Sequence, residues 1–511
     1  MPVPERRLRV RRLLAISAVV GAAILPASAA HATPLASQPA SSYRDSIGVQ
    51  THFPFPGFAY DKATTAELAT MLRTLGITHL RDDTCFLAKE PDCARVRTRL
   101  AELRGAFGTS GPKVDLLALY SRELSSVPNR AVRDADIARA LTAAASPPLA
   151  GMVAALEPVN EPDLKESTDW ASATIADNDT YRRLMAQPQY ASLRGLPHLS
   201  PAIGHAKNTA LLLARGWNAS RATIGNFHPY PPVWGTPEIA LDTACGTGTA
   251  LTCVRQLGAS ATPWATEVGY STSGTGIATN WVSERAQAVY LPRLLLENFR
   301  RGVSRTYLYE LLDLRQDFKP LIGSAVDGFG LYRSRVTTSG YYPAGPKPAA
   351  LALSRMNTTI GDLGAGRAAA ATLDVTVGNA GKVVDDSVVR RVLLRRADGS
   401  YVLALWQPKP VWRNTVWKQA DLNVPELTAQ VSITGGPWNA TASRPTFGTA
   451  TTGSWANAQQ LTLPIGADVT LIDLQRVGGN EPGSAGGPRD PWAAAQAALA
   501  QAAWAWWTSL F

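Results

Sequence analysis

From Ile47 onward, short β-rich runs alternate with longer helical patterns, and no other feature narrows the fold of this chain as far. The candidate strands are Ile47–Thr51, Thr78–Arg81, Val114–Tyr120, Met152–Val159, His198–Ile203, Thr223–Tyr230, Trp264–Val268 and Thr306–Glu310. Between them lie helical stretches at Thr65–Leu75, Arg95–Phe107, Arg133–Ala145, Thr180–Tyr190, Ala206–Gly216 and Ser283–Arg301, with Lys347–Ile360 as the last. Strands joined through helices run parallel, because each helix carries the chain back to the starting edge. Eight such units closing on themselves make a (β/α)8 TIM barrel, here over residues 45–362. A doubly wound open sheet gives the same alternation, so strand counting alone leaves both folds open.

Beyond the barrel the pattern changes. Residues 363–477 hold short β-rich runs such as Val389–Leu394, Tyr401–Trp406, Ala429–Ile433 and Val469–Leu474, separated by Gly, Pro, Asn and Asp turns. That is the signature of an antiparallel β-sandwich domain packed on the barrel. Residues 478–489 form a Gly/Pro-rich linker, and Asp490-Pro491 opens a short C-terminal helix through 511. This helix is uncharged after Asp490 and carries Trp492, Trp504, Trp506 and Trp507, so docking on the barrel, on a partner or at a membrane surface is expected. At the other end, residues 33–44 are rich in Pro, Ser and Ala and read as a flexible leader.

Residues 1–32 place five Arg before an apolar run, Leu13 to Leu25, and end on Ala30-His31-Ala32. This is the pattern of a secretory signal peptide, with an apolar part too short to span a bilayer well, and it predicts a secreted or cell-envelope protein. Without those five Arg and one Glu, the net charge of +10 falls to about +6, with 45 basic and 39 acidic residues. The remaining Arg are dispersed, so no nucleic-acid surface is expected. Four cysteines fall in two close pairs, Cys85/Cys93 and Cys245/Cys253. In an oxidising compartment two local disulfides follow, whereas a four-Cys metal site would have to join loops far apart without any C-x-x-C spacing.

Two sequence segments carry chemistry. Leu156-Glu157-Pro158-Val159-Asn160-Glu161-Pro162 ends the fourth predicted strand, and Trp264-Ala265-Thr266-Glu267-Val268-Gly269-Tyr270 ends the seventh. In a barrel both places lie at the C-terminal mouth, where active sites are built. Two carboxyl groups about 5–5.5 Å apart are what glycosidic hydrolysis with retention requires, one as acid/base and one as nucleophile. Glu161 follows an apolar strand and would face the anion Glu267, conditions that keep an acid protonated. Glu157, Glu161 and Asp163 also have the plainer reading of helix N-terminal acids.

These motifs resemble glycoside hydrolase clan A, the (β/α)8 group of retaining enzymes, nearest its β-xylosidase and α-L-iduronidase branch. The resemblance covers about residues 45–360 and implies Glu161 as acid/base, Glu267 as nucleophile and Asn160 as a binder of the sugar 2-hydroxyl. It further implies that Tyr230 of His228-Pro229-Tyr230 orients the nucleophile and that Arg81 bonds it. No metal or organic cofactor is implied. A Trp commonly ends strand eight in the clan, whereas Tyr307-Leu308-Tyr309-Glu310 stands here. His52, His205 and His228 fall near strand ends without H-x-H or H-E-x-x-H spacing, so sugar or neighbour hydrogen bonds are expected of them rather than zinc. Trp234, Tyr270 and Tyr309 are candidates for stacking on sugar or for packing, and Glu310 is a binding residue and the rival carboxylate. The expected function is retaining hydrolysis of a polysaccharide or glycoconjugate. The alternatives are a non-catalytic carbohydrate-binding envelope protein and a transglycosidase that uses the same residues.

Overall fold

The helix Thr65–Leu75 shows how closely local chemistry sets the elements. Thr64 and Glu67 form a reciprocal capping box at its start, and Gly76 ends it in the left-handed region at φ 64°. Leu68, Met71, Leu72 and Leu75 recur at the three- and four-residue spacing that puts them on one face, and all are buried. The computed structural model describes residues 33–84, 90–108, 111–117, 129–164, 169–232, 235–274, 281–315, 327–363, 365–415 and 418–479. The expected signal peptide, most of the linker and the Trp-rich tail lie outside these residues.

Seven parallel strands form one curled sheet. Their order is Val153–Glu157, Lys113–Leu117, His79–Asp83, Ile47–Gln50, Arg305–Leu308, Trp264–Val268 and Asn226–Phe227. The expected strand His198–Ile203 is reduced to isolated parallel bridges. Two of these join it to the first edge (Leu156 with His198, Asn160 with Ala202) and two to the other (Leu199 with Ile224, Ile203 with Phe227). The expected helix Thr180–Tyr190 is instead Trp170–Met185 followed by a 3-10 turn, Pro188–Leu193. Pro188 disfavours helical geometry at Gln187, which accounts for the break. A hairpin of Tyr332–Thr337 and Gly340–Pro346 intervenes before the helix Pro348–Ile360.

Two further sheets have five and six strands and are antiparallel except where Gln38–Pro39 pairs parallel with Leu394 and Arg395. They share an apolar core in which Val375, Val377, Val431 and Leu463 of one meet Leu393, Leu403, Leu405 and Ile472 of the other. The strand Tyr401–Trp406 is buried on both faces. Leu403 and Leu405 enter that core, while Val402, Ala404 and Trp406 join the cluster of the parallel sheet, as period-two alternation requires. The helix Glu284–Arg300 is correspondingly buried from Ala286 to Phe299. Its Arg293 pairs with Glu238 and donates to the carbonyls of Lys409 and Ala467, fixing the β-rich part against the parallel sheet.

Residues 33–44, expected to form a flexible leader, are structured. Thr33–Ala36 pairs antiparallel with residues 372–375, Gln38–Pro39 pairs with Leu394 and Arg395, and Ala40–Asp45 is a helix. Tyr43 is fully buried against Phe299, and Arg44 donates to the carbonyls of Asn357 and Gly76. A Pro/Ser/Ala composition carries no sign of partners so distant in sequence. Among the described residues no helix is long and apolar enough to cross a membrane. Cys245 and Cys253 form a disulfide, and Cys93 is also disulfide-bonded, its expected partner Cys85 lying outside the described residues.

Candidate active site

The site assembles around one guanidinium. Arg81 and Asp83 lie two apart on the strand His79–Asp83, so both point to the same face, while Asp82 points away and accepts bonds from Thr51 and the Phe53 amide. All five N–H donors of Arg81 are engaged. Nε and one terminal nitrogen hold Glu157 at 2.9 and 2.7 Å, that same terminal nitrogen reaches Asn160 at 2.8 Å, and the other reaches Gln50 at 2.7 Å and Glu267 at 2.5 Å. Arg81 and Glu157 are completely buried, and the opposed charges of Glu157 and Glu267 outweigh the desolvation that opposes the cation. Glu157 is therefore the counter-ion of Arg81 rather than a helix-start acid, and Gln50 and Glu157 are two site residues that sequence reasoning missed.

Glu267 sits inside the strand Trp264–Val268 with a side chain 11% exposed. Its second oxygen accepts a bond from the Tyr230 hydroxyl at 3.2 Å. Burial, reinforced by Glu267, holds the Tyr230 phenol far above its usual range, so it remains a donor. Glu161 lies just past its strand, its side chain 22% exposed. Its backbone φ is 41°, a left-handed geometry that costs a non-glycine residue about 1–2 kcal/mol and that here turns the carboxyl toward Glu267. Carboxylate oxygens of Glu161 and Glu267 and a ring nitrogen of His228 lie within 4.8 Å of one another.

His228 is the hydrogen-bond partner of Glu161, through Nδ1 at 2.8 Å. Thr266 donates its hydroxyl proton to Asn226, so its oxygen accepts from His228 Nε2 at 3.1 Å. That chain leaves Nδ1 as the atom sharing a proton with Glu161. Burial alone would lower the His228 pKa, but Glu267 and the bond to Glu161 offset it and hold the imidazole above its ordinary value. The same three groups are also a candidate metal cluster among the described residues. Three of their four carboxylate oxygens, however, are already bonded to Arg81, Tyr230 and His228, which suits proton transfer better than ligation.

The remaining expected residues divide. Tyr309, half-buried, packs edge-on against His52 and Phe329, and Phe329 also contacts Tyr230, so these rings line the site together. His52 is buried, its pKa pushed down to about 4 by desolvation, so it is neutral, and both ring nitrogens lack hydrogen-bond partners. Glu310 is fully buried behind it, bonded weakly to Tyr60 and 3.4 Å from His52, and burial raises its pKa far above the carboxylate range. Asp163 holds the Gly204 and His205 amides and Asn208, so it is the helix-start acid, while His205 is exposed. Tyr270 is buried with its hydroxyl on the Gly235 carbonyl, a packing residue. Trp234 lies outside the described residues. Asp83 is a further carboxyl that sequence reasoning passed over. Desolvation pushes its pKa up to about 7, with Arg81 opposing and Glu267 and Glu157 reinforcing the rise.

No protein-family model matches this sequence, and no curated protein is a significant match to it. Among solved structures, a glucosidase from Croceicoccus marinus is similar at 13% identity, with a TM-score of 0.50 over 86% of this chain and 98% of that one. A family 5 glycoside hydrolase from Bacteroides vulgatus (11% identity, TM-score 0.47, 84% and 88% of the two chains) is similar too. So is a bifunctional glucanase-xylanase from a metagenome library (11%, 0.48, 84% and 99%). The first of these likenesses is one of fold. All three are glycoside hydrolases, the group to which the motifs were likened, and none is a β-xylosidase or an α-L-iduronidase.

Proposed function

We propose that this chain is an exported retaining glycoside hydrolase acting on a polysaccharide or glycoconjugate. On this reading the curled sheet closes as a (β/α)8 barrel through residues 198–203, whose four bridges link its two edges, and the two antiparallel sheets are a β-sandwich. The observation that carries the proposal is the approach of Glu161 and Glu267 within 4.8 Å, close to the separation of about 5–5.5 Å that a double displacement needs. In the first step a Glu267 oxygen bonds the anomeric carbon while Glu161 gives its proton to the departing glycosidic oxygen. In the second, Glu161 takes a proton from water, the water oxygen bonds the anomeric carbon, and Glu267 leaves. Arg81 and Tyr230 hold Glu267 in place by donating to its two oxygens, and Asn160, itself anchored on Arg81, faces the sugar. The signal-peptide pattern of residues 1–32 and the disulfide Cys245–Cys253 support export.

The test is product stereochemistry. Incubated with a panel of aryl glycosides and followed by NMR, the enzyme should release sugar with its anomeric configuration retained. A 2-deoxy-2-fluoro glycoside of the accepted sugar should label Glu267 in peptide mass spectrometry. Inverted product, or a label on another residue, overturns the mechanism.

A further inference from the structure

An imidazole has two ring nitrogens, and where its protons sit decides what His228 can do for Glu161. Asn226 and His228 lie two apart at the end of the strand Asn226–Phe227, so both point to one side and meet the hydroxyl of Thr266. Thr266 precedes Glu267 on the strand Trp264–Val268, whose pairing with Arg305–Leu308 shifts register between Ala265 and Val268. Such a bulge re-aims side chains, and here two consecutive residues reach the same ring. Thr266 is 3.1 Å from Nε2, and Glu267 is 3.6 Å from Nδ1. Thr266 and Asn226 are completely buried. The amide oxygen of Asn226 takes the threonine proton at 2.8 Å, which turns the threonine oxygen into an acceptor for Nε2. The other groups that act on the ring are Glu161, 2.8 Å from Nδ1, and the charge of Arg81. Tyr230 donates to the same Glu267 oxygen that approaches Nδ1.

We propose that Thr266 is a positioning residue for the acid/base: it holds one proton on Nε2 of His228, so that the proton available for catalysis is the one between Nδ1 and Glu161. This rests on the glycosidase reading above. The residue next to the nucleophile thereby sets the protonation of the opposite glutamate. Replacing Thr266 by Val keeps the shape and removes the acceptor. The ring then keeps both protons only with a buried, unbonded Nε2–H, whereas losing that proton leaves Nδ1–H bonded to ionised Glu161. The pair therefore gives up a proton at lower pH.

Two measurements test this. In 15N NMR of histidine-labelled protein, with His228→Asn to assign the ring, wild type on its active pH plateau should show Nε2 protonated. Thr266→Val at the same pH should show it unprotonated. In kinetics, Thr266→Val should move the alkaline limb of kcat/KM down by about one pH unit, the size of one hydrogen bond to a charged group. Thr266→Ser, which keeps the hydroxyl, should restore it. In a His228→Asn background Thr266→Val should shift nothing further, because no ring remains to orient, whereas a merely structural residue would add its own loss. An unprotonated Nε2 in wild type overturns the inference and leaves the glycosidase reading standing. So does a limb that Thr266→Val leaves in place, or a loss that adds to that of His228→Asn. The spectrum needs no substrate, so a wild type that turns over no glycoside overturns the glycosidase reading while the ring still shows where its protons sit.

Discussion

The two ends of the parallel sheet that carry Glu161 and Glu267 hold the same side chain in opposite surroundings. Glu267 is an in-strand residue, nearly buried, with a guanidinium and a phenol donating to its two oxygens. Glu161 lies beyond its strand in a left-handed turn, twice as exposed, with a single partner that itself titrates. Rigid donors favour a permanent anion. A shared proton favours a group that alternates between acid and base. On the proposed mechanism it is the difference in support, not in residue type, that separates the two roles.

The largest expected effect breaks this comparison at its anionic side. Glu267→Ala removes the atom proposed to bond the sugar, and turnover should fall on the order of 10⁴-fold, with azide giving inverted product. Glu161→Ala should cost on the order of 10²–10⁴-fold with poor leaving groups and far less with activated ones, and azide should rescue it with retained product. NMR of the products from both variants distinguishes the roles. Two variants with equal leaving-group dependence and near-normal rates would dissolve the contrast and direct attention to Glu310.

How much of this was legible in the sequence follows from what each residue does. Glu161, Glu267, Tyr230 and Arg81 stood at predicted strand ends with reactive groups of the right kind, and the structure brings them together. Glu157 and Gln50 were missed because their role is to satisfy Arg81, and a buried counter-ion reads in sequence like any strand-end polar residue. Period-two alternation from Arg81 was the signal that could have flagged Asp83. The strands of 33–39 were illegible because their partners lie at residues 372–375 and 394–395, and pairing over that distance leaves no local pattern. The strand expected at 198–203 is visible as a position but not as a ladder, since bulges and bridges depend on both neighbours.

The donors to Glu267 come next in magnitude. Tyr230→Phe removes one hydrogen bond to a charged group, about 1.5–3 kcal/mol, so kcat/KM should fall about 10- to 100-fold with the leaving-group dependence unchanged. An unchanged rate would mean that Arg81 alone fixes the nucleophile. His228→Asn acts on the other glutamate. Because the His228 pKa lies above its ordinary value, the Glu161–His228 pair keeps its shared proton to higher pH than a free imidazole would. Activity that needs that proton is complete below this value and is lost as pH rises through it. In His228→Asn the alkaline limb of kcat/KM should therefore move to lower pH, costing about tenfold at pH 8 and little at pH 5. A limb that stays in place would separate His228 from proton transfer.

The smallest expected effect sharpens the comparison without removing a functional group. Gly204 lies against Glu161, and a Cβ there would stand 3.2 Å from its Oε1 and 3.0 Å from Cγ of Leu164. Gly204 is not held at positive φ, so Ala fits the backbone and only the neighbours must move. Both neighbours are side-chain rather than backbone atoms, and the adjustment asked of them is a few tenths of an ångström. Glu161 has one partner and an exposed side, so it can yield, whereas Glu267 is untouched and remains clamped. Gly204→Ala should accordingly leave 2-fluoro labelling of Glu267 by an activated glycoside near normal. Turnover of substrates that need protonation should fall several-fold, since displacement by much less than 1 Å costs far less than the 10²-fold of a full ångström. Equal losses in both assays would mean that the two glutamates move as one unit, and that the looser support of Glu161 has no functional consequence.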